Sequence, residues 1–168
     1  MRSIAGQSPR RRRIRLAREV YGIVGQAFLV TVCARDRQAV LTSNSMPEIV
    51  DCALRSASTS VPMVVFAWCV MPDHVHMVVA PEEGGNVVDW VRRFKGRVAT
   101  DARRQGLRSL WQRSFYDYVL RSDAEMADVV RYVLANPVRA GFVEDWRDWP
   151  HNGSLVWDLA NWVAVSQA

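Results

Sequence analysis

Residues 63–80 constrain the fold more than any other stretch of this chain. Met63 to Val70 reads MVVFAWCV, an unbroken apolar run. Successive side chains of a strand point to opposite faces, so a run apolar on both faces predicts a central strand. Pro72-Asp73 follows as a turn, because proline presets the turn backbone and aspartate bonds its own main chain. His74 to Ala80, HVHMVVA, then returns as a second strand.

The flanking segments supply the remaining elements. Phe28 to Cys33 is rich in β-formers and predicts a strand. Ser45-Met-Pro-Glu48 has the spacing of a capping box and opens a helix with Met46, Ile49, Val50, Ala53 and Leu54 on one face. Asn86 caps a long helix with Val87, Val91, Phe94, Val98 and Ala102 inward; Arg92, Arg93, Lys95, Arg103 and Arg104 are placed outward, and Gly106 ends it. Phe115 to Leu120 is a short strand. Ser122 to Glu125 is a second capping box, opening a helix that runs to about Ala135, where Pro137 stops it. The order is βαββαβ followed by a helix. That is an α+β, ferredoxin-like sandwich: an antiparallel sheet with helices on one face, plus a C-terminal helix. Trp68 and Trp90 are expected in its core.

The chain has 168 residues, 49% of them hydrophobic and 23% charged, which suits a single domain with a core of its own. Lys95 is its one lysine among 22 basic residues, and the net charge is +5. Arginine grips phosphate bidentately and keeps its charge, so the bias suits a polyanion partner; arginine-rich codon usage is the other reading. Seven arginines fall within residues 1–20, and residues 144–168 carry four acids against Arg147. The expected division is a basic arm over 1–20, a core over 21–150 and an acidic tail over 151–168. Cys33, Cys52 and Cys69 have neither disulfide nor zinc-finger spacing and are expected as reduced, mostly buried thiols in a cytoplasmic protein. No apolar run approaches a membrane span. Arg10 to Arg13 ahead of an apolar stretch imitates an export signal, but Gly25 and Gln26 interrupt it and no small-residue cleavage site follows.

Four side chains stand out as chemistry. His74 and His76 lie two apart on a strand, so they share a face and form half of a metal site. A surface pair, or one histidine bonded within the core, is the plainer alternative. Tyr132 and Asn136 lie one turn apart on the last helix. A tyrosine hydroxyl is a usable nucleophile beside a polarising cation, and an amide oxygen is an acceptable hard-metal ligand. The alternative is an inward-packed tyrosine with Asn136 as a helix cap. Tyr116 and Tyr118 are rival nucleophiles with no liganding neighbour in the sequence. His151 reads as a surface residue.

MPDHVHMVV at 71–79, LWQRSFYDYVLR at 110–121 and RYVLANPVRAGFV at 131–143 closely resemble the REP-associated tyrosine transposases, relatives of the single-tyrosine HUH transposases of bacterial insertion sequences. The resemblance extends from roughly Ala27 to Pro150. It implies a ferredoxin-like core with a tyrosine on a following helix, metal ligands at His74, His76 and Asn136, and a nucleophile at Tyr132. It further implies cleavage of single-stranded DNA beside palindromic hairpins through a 5′-phosphotyrosine, with magnesium or manganese and no nucleotide cofactor, in a monomer or homodimer. On that reading Arg10, Arg11, Arg12, Arg13, Arg15, Arg92, Arg93 and Lys95 are candidates for phosphate contacts, and Trp111 for base stacking. Two other functions fit less well: a hairpin-binding module of the same fold that does not cut, and a small zinc hydrolase, for which no HExxH motif is present.

Overall fold

We describe residues 16–159 of a computed structural model of the chain. Residues 1–15 of the expected basic arm, Arg10 to Arg13 and Arg15 among them, lie outside the described residues, as does the end of the acidic tail. The elements are β1 (Phe28–Cys33), α1 (Met46–Ser60), β2 (Met63–Met71), β3 (His74–Pro81), α2 (Val87–Arg104), β4 (Tyr116–Val119), α3 (Asp123–Leu134), a short α4 (Asn136–Arg139) and β5 (Asn152–Gly153). All strand pairs are antiparallel and the sheet order is β4-β1-β3-β2-β5. The first six elements are therefore the ferredoxin-like βαββαβ unit, with β3 at its centre. β5 carries the sheet beyond Pro150, where the boundary between core and tail was expected.

Helices cover both faces. α1 and α2 bury Val50, Leu54, Trp90 and Phe94 against Phe28, Val30, Val32, Val75, Met77 and Val79. α3 buries Val130, Val133 and Leu134 on the opposite face against Ala67, Cys69, Val78 and Ala80. A β-bulge between Val65 and Ala67 sets which side chains of β2 go where. It places Phe66 and Ala67 toward α3 and restores alternation from Trp68, which faces α1 and α2. Trp68 and Trp90 are both buried, as expected. Gly153 approaches Trp68 so closely that a Cβ there would meet the indole at 2.3 Å.

Local signals behave unevenly. Asn86 caps α2 by accepting from the Val88 N–H, and Ser122 caps α3 by accepting from the Glu125 N–H. Ser45 precedes α1 but makes no cap bond. Its backbone (φ −88, ψ 16) is not in the extended conformation that aims an N-cap oxygen at the helix, and its hydroxyl instead accepts from Gln105. Pro137 does not end helical structure. It begins the extra turn α4, where a missing N–H costs nothing.

Lys95 departs from the outward face on which the helical pattern placed it. It is half-buried, and its ammonium donates to the carbonyls of Gln112 (2.7 Å) and Ser114 (2.8 Å). Burial pushes its pKa down. The Trp111 indole donates to the Lys95 carbonyl (3.0 Å) and packs on Phe94. The two residues together fasten the strap that leads into β4.

Candidate active site

The period of a strand decides where the site forms. Val75, Met77 and Val79 of β3 take the face of α1 and α2, so His74 and His76 fall on the face of α3. Their Nε2 atoms approach to 3.1 Å. Two nitrogens that bind one cation at about 2.1 Å, roughly at right angles, stand about 3 Å apart, so the pair fits a shared ion.

Each imidazole is held from behind. The His74 Nδ1–H donates to Asp73 Oδ1 at 2.6 Å, and the other Asp73 oxygen meets Arg37 Nε at 2.7 Å. That bond holds the His74 proton on Nδ1 and leaves Nε2 with its lone pair. His76 Nδ1 lies 2.8 Å from the Thr31 hydroxyl, its partner across β1 and β3. A hydroxyl both donates and accepts, so Thr31 serves either tautomer of His76. Burial first, then the neighbouring His74 and Arg37, push the His76 pKa down to about 3. The ring is therefore neutral at pH 7, the state a metal ligand requires. Cys69 pairs with His76 in the register of β2 and β3, and burial pushes its thiol up to about 12. It stays protonated beside the pair.

Tyr132 of α3 completes the cluster. Its ring centroid is 6.0 Å from that of His76, and the residue is 39% exposed, open enough to meet a substrate. The Arg139 guanidinium carbon lies over the Tyr132 ring, 4.7 Å from its centroid. Asn136 caps α3: its amide donates to the carbonyls of Tyr132 (2.8 Å) and Val133 (3.3 Å). Those bonds use Nδ2 and leave Oδ1 as the atom available to a cation. The described residues contain no group of three or more histidine, cysteine, aspartate or glutamate side chains around one point. An amide oxygen is the kind of donor such a group would need.

The other candidates lie elsewhere. Arg92 and Arg93 are exposed on α2, across the sheet from the histidines, and Arg92 meets Asp89 at 3.5 Å. Tyr118 on β4 donates to Glu125 (2.8 Å), a bond that raises its pKa. Tyr116 pairs with Thr31, itself opposite His76, which puts it on the histidine face two strands away. His151 is half-buried with its ring edge on Trp149. Asp73, Thr31, Arg37 and Arg139 were not singled out by the sequence. Only Asp73, adjacent to His74, left a signal there.

A family model described as "Transposase IS200 like" matches residues 25–136, from the approach to β1 through Asn136. The chain belongs to the IS200-like transposases. The REP-associated tyrosine transposase of Escherichia coli strain K12 is 28% identical over 130 residues, covering 77% of each chain. A Haemophilus influenzae relative is 27% identical over 140 residues, covering 76% of this chain and 79% of its own. Among solved structures, a REP-associated tyrosine transposase bound to a REP hairpin superposes with a TM-score of 0.69 at 27% identity, over 87% of this chain and 82% of that one. The family match contains His74, His76, Tyr132 and Asn136 together, and the fold of this IS200-like member is that of the hairpin-bound relative.

Proposed function

We propose that this IS200-like transposase cleaves and rejoins single-stranded DNA beside short hairpins, with Tyr132 as nucleophile. The observation that carries the reading is the convergence of His74 and His76 through Nε2 with the Tyr132 ring packed on His76. The hairpin partner is carried over from the relative that holds one. His74 and His76 would hold a divalent cation, magnesium or manganese, with the Asn136 oxygen as a third donor, and the ion would supply positive charge to the scissile phosphate.

The chain's own residues do the rest. Tyr132 Oη attacks the phosphorus, forming an Oη–P bond. The P–O3′ bond breaks, its electron pair leaves with O3′, and O3′ takes up a proton to become a 3′-hydroxyl. The phenolic proton goes to solvent. The resulting 5′-phosphotyrosine keeps the ester energy, so rejoining needs no nucleotide cofactor. Asp73 and Thr31 fix the two imidazoles, sparing the reaction their reorganisation. Tyr132 stands beside histidines of its own chain, which supports attack within one subunit.

The test is a denaturing gel with end-labelled single-stranded oligonucleotides that carry palindromes from the DNA flanking the gene. Magnesium and manganese are each supplied. Wild type should give a slow-migrating covalent adduct that Tyr132→Phe and His74→Ala both lack. An adduct that survives Tyr132→Phe would move the nucleophile to Tyr116 or Tyr118. Tight hairpin binding with no adduct in any of these conditions would make the chain a binding module.

A further inference from the structure

Arg139 lies seven residues after Tyr132, beyond the end of α3, and comes back over the Tyr132 ring at 4.7 Å. This placement is built into the backbone. α3 is capped by Asn136, and α4 then turns on buried Pro137. The turn is closed by bonds from the Ala140 N–H to the Asn136 carbonyl (2.9 Å) and from the Phe142 N–H to the Pro137 carbonyl (2.9 Å). Gly141 reverses the chain at φ +75, a conformation that favours glycine.

The charge on Arg139 is uncommitted. Among the described residues it forms no ion pair, while Arg131 on the same segment is held by Asp128 and Arg37 by Asp73. A cation–π contact uses the charge of the guanidinium and none of its hydrogen-bond donors. Its N–H groups radiate in the plane and stay free for an anion.

Resting on the reading of Tyr132 as nucleophile, we propose that Arg139 is a catalytic residue that stacks on the Tyr132 ring and binds the scissile phosphate. Stacking holds the ring in one rotamer before attack. As the Oη–P bond forms and the P–O3′ bond breaks, negative charge builds on the non-bridging oxygens. The guanidinium already sits beside the phenol to which that phosphorus becomes attached. Charge-assisted bonds to those oxygens strengthen as the charge grows, which is the condition for raising kcat and not merely affinity. In the phosphotyrosine the same contact keeps the diester in place for rejoining.

The test uses the full chain and a hairpin oligonucleotide that wild type converts to adduct. Arg139→Ala should slow adduct formation at saturating DNA by about 10²-fold, the scale of one lost oxyanion donor. Hairpin Kd should change less than about threefold. Arg139→Lys should recover part of the rate, and methylguanidinium added to Arg139→Ala should restore part of it in a saturable way. A purely structural role would show no such rescue. Arg139→Gln keeps a planar side chain without charge; it should be as slow as the alanine variant and decides the matter if the latter unfolds. Wild-type rates in Arg139→Ala or Arg139→Gln, or a loss confined to Kd, would overturn this role and leave Tyr132 in place. Wild type that forms no adduct with any hairpin would overturn the Tyr132 reading and this role with it.

Discussion

β3 shows its two faces in a single strand. Toward α1 and α2 it offers Val75, Met77 and Val79, all buried; toward α3 it offers His74 and His76 before returning to Val78 and Ala80. The first face is packed apolar core along its length, with Trp90 and Phe94 stacked 5.8 Å apart. The second is core at one end and chemistry at the other. There the histidines are bonded to Asp73 and Thr31, and Tyr132 is open to solvent. The strand stays rigid because one face is packed, and that rigidity lets the other hold two imidazoles 3.1 Å apart.

Substitutions on the two faces of β3 should have opposite consequences. On the α3 face, Tyr132→Phe or His74→Ala should reduce adduct formation by at least about 10³-fold. The thermal midpoint of Tyr132→Phe should stay near wild type, because the hydroxyl it loses has no partner among the described residues. On the other face the pattern should invert. Phe94→Ala should cost roughly 3–5 kcal/mol in urea unfolding, since its ring is fully buried between Trp90 and Trp111. Wild-type adduct chemistry per folded molecule would remain. A Tyr132→Phe protein that unfolds, or a stable Phe94→Ala protein that cannot cleave, would erase the distinction between the faces.

Smaller effects are expected around the histidines and on the packed face. Asp73→Asn keeps the shape of the bond behind His74 but removes its charge and frees Arg37. Manganese affinity, read by calorimetry, should fall about 10–100-fold. Tyr21, on the packed face, has a pKa pushed up to about 12 by burial and by the Asp117 carboxylate that accepts its hydroxyl. The folded form therefore holds the phenolic proton where the unfolded chain, with a value near 10, releases it. This contribution is fully present below pH 10 and is lost as pH rises toward 12, by about 3 kcal/mol. Urea titrations of Tyr21→Phe should lack that alkaline slope. Arg93→Ala, on the exposed side of α2, should change stability by less than about 0.5 kcal/mol. If the residue touches a hairpin phosphate, the salt slope of binding should fall by about one; no change would show a solvated face.

How far the site was legible follows from the range of each interaction. The inward residues of α2 were readable because helical period relates positions three and four apart. The shared face of His74 and His76 was readable for the same reason in a strand. Lys95 was misplaced because its partners, Gln112 and Ser114, belong to a strap that periodicity does not see. The Ser45 capping box has the right spacing, but its backbone is not extended and its hydroxyl accepts from Gln105, remote in the sequence.

The order of the elements from β1 to α3, the buried hairpin, the apolar helix faces and the pairing of His74 with His76 are written in the sequence, because backbone geometry repeats over a few residues. That the histidines face α3, that Thr31 stands behind His76 and that Arg139 covers Tyr132 emerges from the folded packing. Those facts depend on strand register and on where a helix lands. Both are set by the joint packing of segments far apart in the chain, which no local pattern encodes.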